Sequence, residues 1–167
     1  MSRRDQIRMS DNEVAAFLEH ERTMTCGTNG PRGLPHLMPL WYVLREPPAG
    51  EPGPRLWAWT FAKSQKAQNL ERDARAALQI EDGEQYQELR GVMLECDVVI
   101  HRDFETVRDL GGEILRRYAG PPGSEPPLEL APEAQAMVDA QARKRIGMEF
   151  VERRRVSWDH RKLDGVY

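Results

Sequence analysis

The stretch Trp57-Ala58-Trp59-Thr60-Phe61-Ala62-Lys63-Ser64-Gln65-Lys66-Ala67-Gln68-Asn69-Leu70 gathers residues whose types and spacing suit one kind of chemistry, the holding of a phosphate. The aromatic run up to Thr60 suits a strand, and Ser64 suits the N-cap of a helix. A helix N-terminus presents unpaired N–H groups and a partial positive charge, both of which attract an anion. Ser64 can cap the helix and still donate its hydroxyl, Thr60 adds a second hydroxyl, and Lys63 and Lys66 bracket them with two full charges. The same residues also suit an ordinary capped surface helix with exposed lysines. Serine caps and lysines are too common for spacing alone to decide between the two.

The tryptophans border this stretch. Strand side chains alternate, so Trp57 and Trp59 share one face. Trp41 and Trp158 also fall at strand-like positions. Aromatics on a sheet fill a core or wall a flat ring in a cleft. Trp158 runs into Asp159-His160-Arg161-Lys162-Leu163, a polar tip that either packs or acts as a lid. Other chemistry lacks a motif. There is no G-x-G-x-x-G, P-loop, H-E-x-x-H, C-x-x-C or nucleophile elbow. His20, His36, His101 and His160 are scattered, and no metal site is expected. No pair of carboxylates stands out as acid and base, so the catalytic residues are not identified.

Composition narrows the class. The chain has 167 residues, 40% apolar and 31% charged, in the range of one soluble domain. No apolar run approaches the ~18 residues of a membrane span, and no signal peptide is expected after Met-Ser-Arg-Arg-Asp. Cys26 and Cys96 are read as free thiols of a reducing cytoplasm. Net charge is −3, against a nucleic-acid binder. It is uneven: residues 143–164 carry +4 and the remainder −7. That basic stretch is read as a solvated, salt-bridged face in preference to an anion-attracting surface.

The elements that must position these residues follow from pattern. Ser10 and Glu13 make a capping box, with Met9 stapled to Val14 and an apolar face of Val14, Phe17 and Leu18. Strands are expected over 22–28, 34–45, 55–60, 75–81, 89–101 and 148–158. Pro35 and Pro39 put the second of these at an edge or bulge. Val92, Leu94, Cys96, Val98 and Ile100 share one face of the fifth. Helices are expected over 64–72, 103–118 and 132–145, the second with a Val107, Leu110, Ile114, Leu115, Tyr118 stripe. Nine of the twelve prolines fall in two segments, which makes 47–54 a hairpin tip and 120–132 an excursion. Six strands and four helices joined by turns indicate a mainly β, antiparallel sheet or barrel with flanking helices.

With these residues placed, the chain resembles the pyridoxamine 5′-phosphate oxidase-like split β-barrel family, and within it the flavin/deazaflavin oxidoreductases that use coenzyme F420. The resemblance is carried, in order, by Gly33-Leu34-Pro35-His36, Pro39-Leu40-Trp41-Tyr42, Trp59-Thr60, Ser64-Gln65-Lys66-Ala67 and Asn69-Leu70. It continues through Arg72-Asp73-Ala74-Arg75, Glu88-Leu89-Arg90-Gly91-Val92 and Ser157-Trp158-Asp159-His160-Arg161-Lys162-Leu163. It implies a single six-stranded antiparallel split-barrel domain over 1–167, with the Pro/Gly-rich excursion and helix at about 119–146. It implies a cytoplasmic homodimer with cofactor sites at the interface.

The resemblance also assigns roles. Thr60, Ser64 and Lys66 bind the cofactor phosphate, with Lys63 and Gln65 beside them. Trp59 lies by the ring or its chain, and Leu40 and Trp41 run along the ring. Tyr86, Trp158 and Lys162 reach the partner's site, and Tyr86 and His160 are guesses for proton transfer. The implied function is a reductase passing a hydride from F420 to a small organic acceptor, with no nucleic acid or membrane as partner. The alternatives are an FMN-dependent oxidoreductase and a non-catalytic cofactor-binding protein. Gln65 stands where the FMN oxidases usually carry Arg, which tilts the expectation towards the deazaflavin. Cys96 replaces an expected Gly and Ala74 a frequent Pro. The 120–132 excursion and the helix after it are read as an insertion that shapes the substrate pocket.

Overall fold

A computed structural model describes residues 2–51, 53–121 and 124–163. Pro52 of the expected hairpin tip, Pro122 and Gly123 of the excursion, and Asp164 of the basic stretch lie outside them. The elements are α1 (Arg3–Gln6), α2 (Asp11–His20), β1 (Met24–Asn29), β2 (Pro35–Leu40), β3 (Val43–Arg45), β4 (Arg55–Phe61), α3 (Gln65–Arg72), β5 (Arg75–Asp82), β6 (Arg90–His101), α4 (Phe104–Tyr118), α5 (Pro132–Ala142) and β7 (Arg145–Asp159). Single 3₁₀ turns cover Tyr86–Glu88 and His160–Leu163.

The seven strands form one antiparallel sheet in the order β2-β1-β5-β6-β7-β4-β3. Laid flat, its outer strands would stand about 29 Å apart, at ~4.8 Å per strand pair. Yet β2 and β3 are joined by Trp41 and Tyr42 alone, a link that spans no more than ~11 Å. The sheet therefore curls until its edges nearly meet, giving the half-barrel expected from the sequence.

The expected count of six strands is corrected to seven. The 34–45 stretch breaks at Trp41-Tyr42 because both side chains are held by other elements. The Tyr42 ring is fully buried, with its hydroxyl 2.7 Å from the Leu18 carbonyl and 2.8 Å from that of Glu21. Trp41 stacks on Tyr118 of α4 at 4.3 Å. The prolines do lie on an edge strand, since β2 pairs only with β1.

Inside the curl, Met24, Cys26, Leu78, Ile80, Leu94, Met148 and Phe150 pack with Phe17 and Leu18 of α2 and Leu70 of α3. The Ser10–Glu13 capping box forms, and Met9 and Val14 are buried together. Val92, Leu94, Cys96 and Val98 point inward as their alternation requires, with a bulge against β7 at Glu95/Cys96. On the outer face, Leu110 and Ile114 of α4 cover Val43 and Trp57. The last helix ends at Ala142 and β7 starts at Arg145, three residues before the expected position. The cause is the ladder itself, which pairs Phe61 with Arg145 and Thr60 with Ile146.

Candidate functional site

The junction from β4 to α3 is built as the sequence suggests. Ser64 caps α3, its hydroxyl accepting from the Ala67 N–H at 3.2 Å. The buried face of α3 is Lys66, Ala67, Asn69 and Leu70, so half of it is polar. Asn69 explains itself: it donates to the Thr28 hydroxyl at 3.0 Å and accepts from Gln65 at 2.9 Å, which docks α3 on β1.

Lys66 has no such explanation. It is 4% exposed, and among the described residues its ammonium has a single hydrogen-bond partner, the Thr60 hydroxyl at a long 3.4 Å. The Thr60 and Ser64 hydroxyls lie 3.2 Å apart. Among the described residues no carboxylate pairs with Lys66. Burial pushes its pKa down from the ordinary lysine value. A buried cation is normally paired. Two hydroxyls and a helix N-terminus beside an ammonium with no carboxylate partner can each donate to one anionic group, which suits a phosphate. Lys63 and Gln65 are exposed on the other side of the helix start, and Gln65 is turned to Asn69.

Leu40, Trp41 and Trp59 come together in a cleft of about 660 Å³ on the outer side of β4. Its walls are the end of β2, the α4 face around Gly111, Ile114 and Leu115, and Met137, Val138 and Gln141 of α5. The helix that follows the excursion thus walls the cleft. Trp59 can lie flat on α4 because position 111 is glycine: a β-carbon there would sit 2.3 Å from the indole. Alternation places Thr60 on the opposite face of β4 from Trp59 and Phe61. The phosphate-type cradle and the aromatic cleft therefore flank the end of one strand and do not share a face.

Arg145 is a cleft residue that the sequence reading did not single out. Its guanidinium lies 4.5 Å from the Trp59 ring centre and 4.0 Å from that of Phe61. No local pattern could reveal it, because both aromatics reach it through the β4–β7 ladder.

The remaining candidates gather elsewhere, around the far end of β7. Trp158 packs over Gly91, where a β-carbon would meet the indole at 2.4 Å, so its ring is a packing element of the sheet. Tyr86 and His160 rings are 4.6 Å apart, and the His160 imidazole lies 2.9 Å from the Tyr86 carbonyl. Lys162 donates to Glu13 at 2.8 Å and to the Arg8 carbonyl at 2.9 Å, tying the C-terminal turn to α2. The basic stretch is salt-bridged in its second half, Arg153 to Asp97, Arg154 to Glu95, Arg155 to Glu152 and Arg161 to Asp159, whereas Arg143, Lys144 and Arg145 meet no carboxylate among the described residues. Among the described residues, no group of three or more His, Cys, Asp or Glu side chains could hold a metal ion, and no helix is long and apolar enough to cross a membrane.

Residues 10–156 match the pyridoxamine 5′-phosphate oxidase family model. Among solved structures, a conserved hypothetical protein of Mycobacterium tuberculosis, Rv2991, is 40% identical, with a TM-score of 0.81 over 100% of this chain and 95% of that one. An F420 reductase is 20% identical, with a TM-score of 0.57 over 84% of this chain and 93% of its own. An FAD-binding protein of Mesorhizobium loti is 16% identical, with a TM-score of 0.60 over 89% and 94%. The last two likenesses establish the fold alone. No curated protein matches in sequence.

Proposed function

The chain belongs to the pyridoxamine 5′-phosphate oxidase family, and from that premise we propose that it is an F420-dependent reductase acting on a small organic acceptor. The observation that carries the reading is the buried Lys66 ammonium, held beside the Thr60 and Ser64 hydroxyls with no carboxylate partner among the described residues. In this reading those three residues hold the cofactor phosphate. The cofactor's chain would have to bend around the end of β4 to bring its ring to Leu40, Trp41 and Trp59, where the α4 and α5 walls keep water from the face where the acceptor sits. When bound, the deazaflavin supplies a hydride, and the protein supplies position and a dry pocket. The described cleft lining holds no histidine, carboxylate or cysteine, which suits chemistry borne by the cofactor. A second copy of the chain covers the apolar edge at Leu37 and Met38 of β2, both exposed here, and the exposed Tyr86 reaches the partner copy's site, while Trp158 and Lys162 are held within their own chain.

The same cradle suits FMN. Gln65 favours the deazaflavin, because its side-chain amide is spent on Asn69 and adds no charge to the phosphate. The test is turnover. Reduced F420 is mixed with the protein and a panel of enones and nitroaromatics, and the return of the oxidised chromophore is followed. Acceptor-dependent oxidation that Lys66→Ala slows at least tenfold supports the proposal. Tight binding without turnover on any acceptor would instead mark a cofactor carrier.

A further inference from the structure

Where Arg153, Arg154, Arg155, Arg161 and Lys162 each meet a carboxylate, Arg143, Lys144 and Arg145 meet none among the described residues, and of these three Arg145 alone is not exposed to solvent. Among the described residues its one hydrogen bond is the 3.4 Å contact from Nη2 to the Gln141 side-chain oxygen, and its buried Nε has no acceptor. Burial also lowers its pKa, although an arginine stays charged throughout the working range. The surroundings are apolar: Trp59 and Phe61 lie under the guanidinium, and Trp41 and Met137 line the same cleft, which contains no acidic residue.

The cation without a counter-ion is satisfied by a ligand oxyanion at the Nη edge of the guanidinium, the buried Nε lying out of a ligand's reach. A planar guanidinium offers two parallel N–H donors to a carboxylate along that edge, a geometry that lysine lacks. The rest of the cleft is aromatic and aliphatic, and its volume of about 660 Å³ is that of a small-molecule site. We propose that Arg145 is a specificity residue that grips the carboxylate of a flat, apolar, monoanionic ligand whose body lies in the Trp41–Trp59–Met137 cleft. The inference rests on the reading of this cleft as the acceptor side of the cofactor site. The carboxylate is a handle for orientation and is not itself the group reduced.

The probes are 2-naphthoate and its neutral isostere 2-naphthamide, titrated calorimetrically into the full chain. Wild type should bind the acid at least about tenfold more tightly than the amide, the worth of a charge-assisted hydrogen bond. Arg145→Gln should erase that preference, and Arg145→Lys should restore part of it. Both variants should weaken F420 binding less than Lys66→Ala does. Equal binding of acid and amide, or no binding of the acid, overturns the inference; the comparison needs no variant and so does not depend on one folding. A loss of F420 affinity in Arg145→Gln as large as in Lys66→Ala also overturns it, by giving Arg145 to the cofactor, and leaves the cofactor reading intact. Charge-selective naphthoate binding by a protein that takes neither F420 nor FMN supports the Arg145 subsite while the cofactor reading fails.

Discussion

Replacing Lys66 by methionine should make the protein more stable and its cofactor binding worse. The side chain is 4% exposed, and its only polar contact among the described residues is the 3.4 Å one to Thr60. That contact is too long to contribute more than ~0.5 kcal/mol. Its loss leaves no orphan, because the Thr60 hydroxyl keeps Ser64 at 3.2 Å. Methionine has nearly the same shape, and it removes an ammonium that burial destabilises. Desolvating an unpaired cation costs several kcal/mol before relaxation, so a net gain of about 1–3 kcal/mol is expected, or roughly 3–10 °C in Tm at this chain length. Binding moves the other way. A charge-assisted contact to phosphate is worth ~1.5–3 kcal/mol, so affinity should fall about 10- to 150-fold. Thermal unfolding followed by circular dichroism and a fluorescence titration with F420 read the two effects separately. The pH dependence adds a check with a fixed sign. Burial lowers the Lys66 pKa, so wild-type affinity should decline with rising pH before the ordinary lysine value of 10.5 is reached. A methionine variant that is less stable and binds as well as wild type would make Lys66 a structural residue and refute the reasoning.

Other consequences can be checked with simple measurements. Gly111→Ala drives a methyl into the Trp59 indole and should cost about 1–3 kcal/mol, with a shift of tryptophan emission; an unchanged Tm and spectrum would contradict the close packing. Cys26 and Cys96 are buried, and desolvation raises their thiols to about 11 and about 12, so neither should react with Ellman's reagent until the protein unfolds. Glu13 is held at about 2, below its ordinary 4.5, first by the Lys162 ammonium and then by the Ser10 N–H. A lowered carboxylate pKa adds stability above pH 4.5 that is lost as pH falls towards 2, so the stability difference between wild type and Glu13→Gln should vanish over that interval and persist above it.

Features set by near neighbours were legible in the sequence. The Ser10–Glu13 box, the Ser64 cap, the alternation of β6 and the α4 stripe each depend on residues three to four apart or on a period of two, so chain order displays them. Features set across the sheet were not. The break at Trp41-Tyr42 comes from carbonyls of α2 and a ring on α4, and a long strand was the natural expectation without them. The two lysines at α3 look alike in sequence, yet only Lys66 faces inward, because α3 lies against β1 through Asn69 and Thr28. Arg145 read as one more charge in a basic run until the β4–β7 pairing set it beside Trp59 and Phe61. The grouping of Tyr86, Trp158 and Lys162 away from the cleft likewise follows from β6–β7 register and the Lys162–Glu13 pair.

The central claim, that the Thr60–Ser64–Lys66 cradle serves a deazaflavin, is tested most directly by equilibrium titration of the purified protein with oxidised F420 and, in parallel, with FMN. The account predicts saturable binding of both, with F420 bound more tightly and Lys66→Ala weakening it at least tenfold. Tighter binding of FMN, or binding of neither, would contradict it.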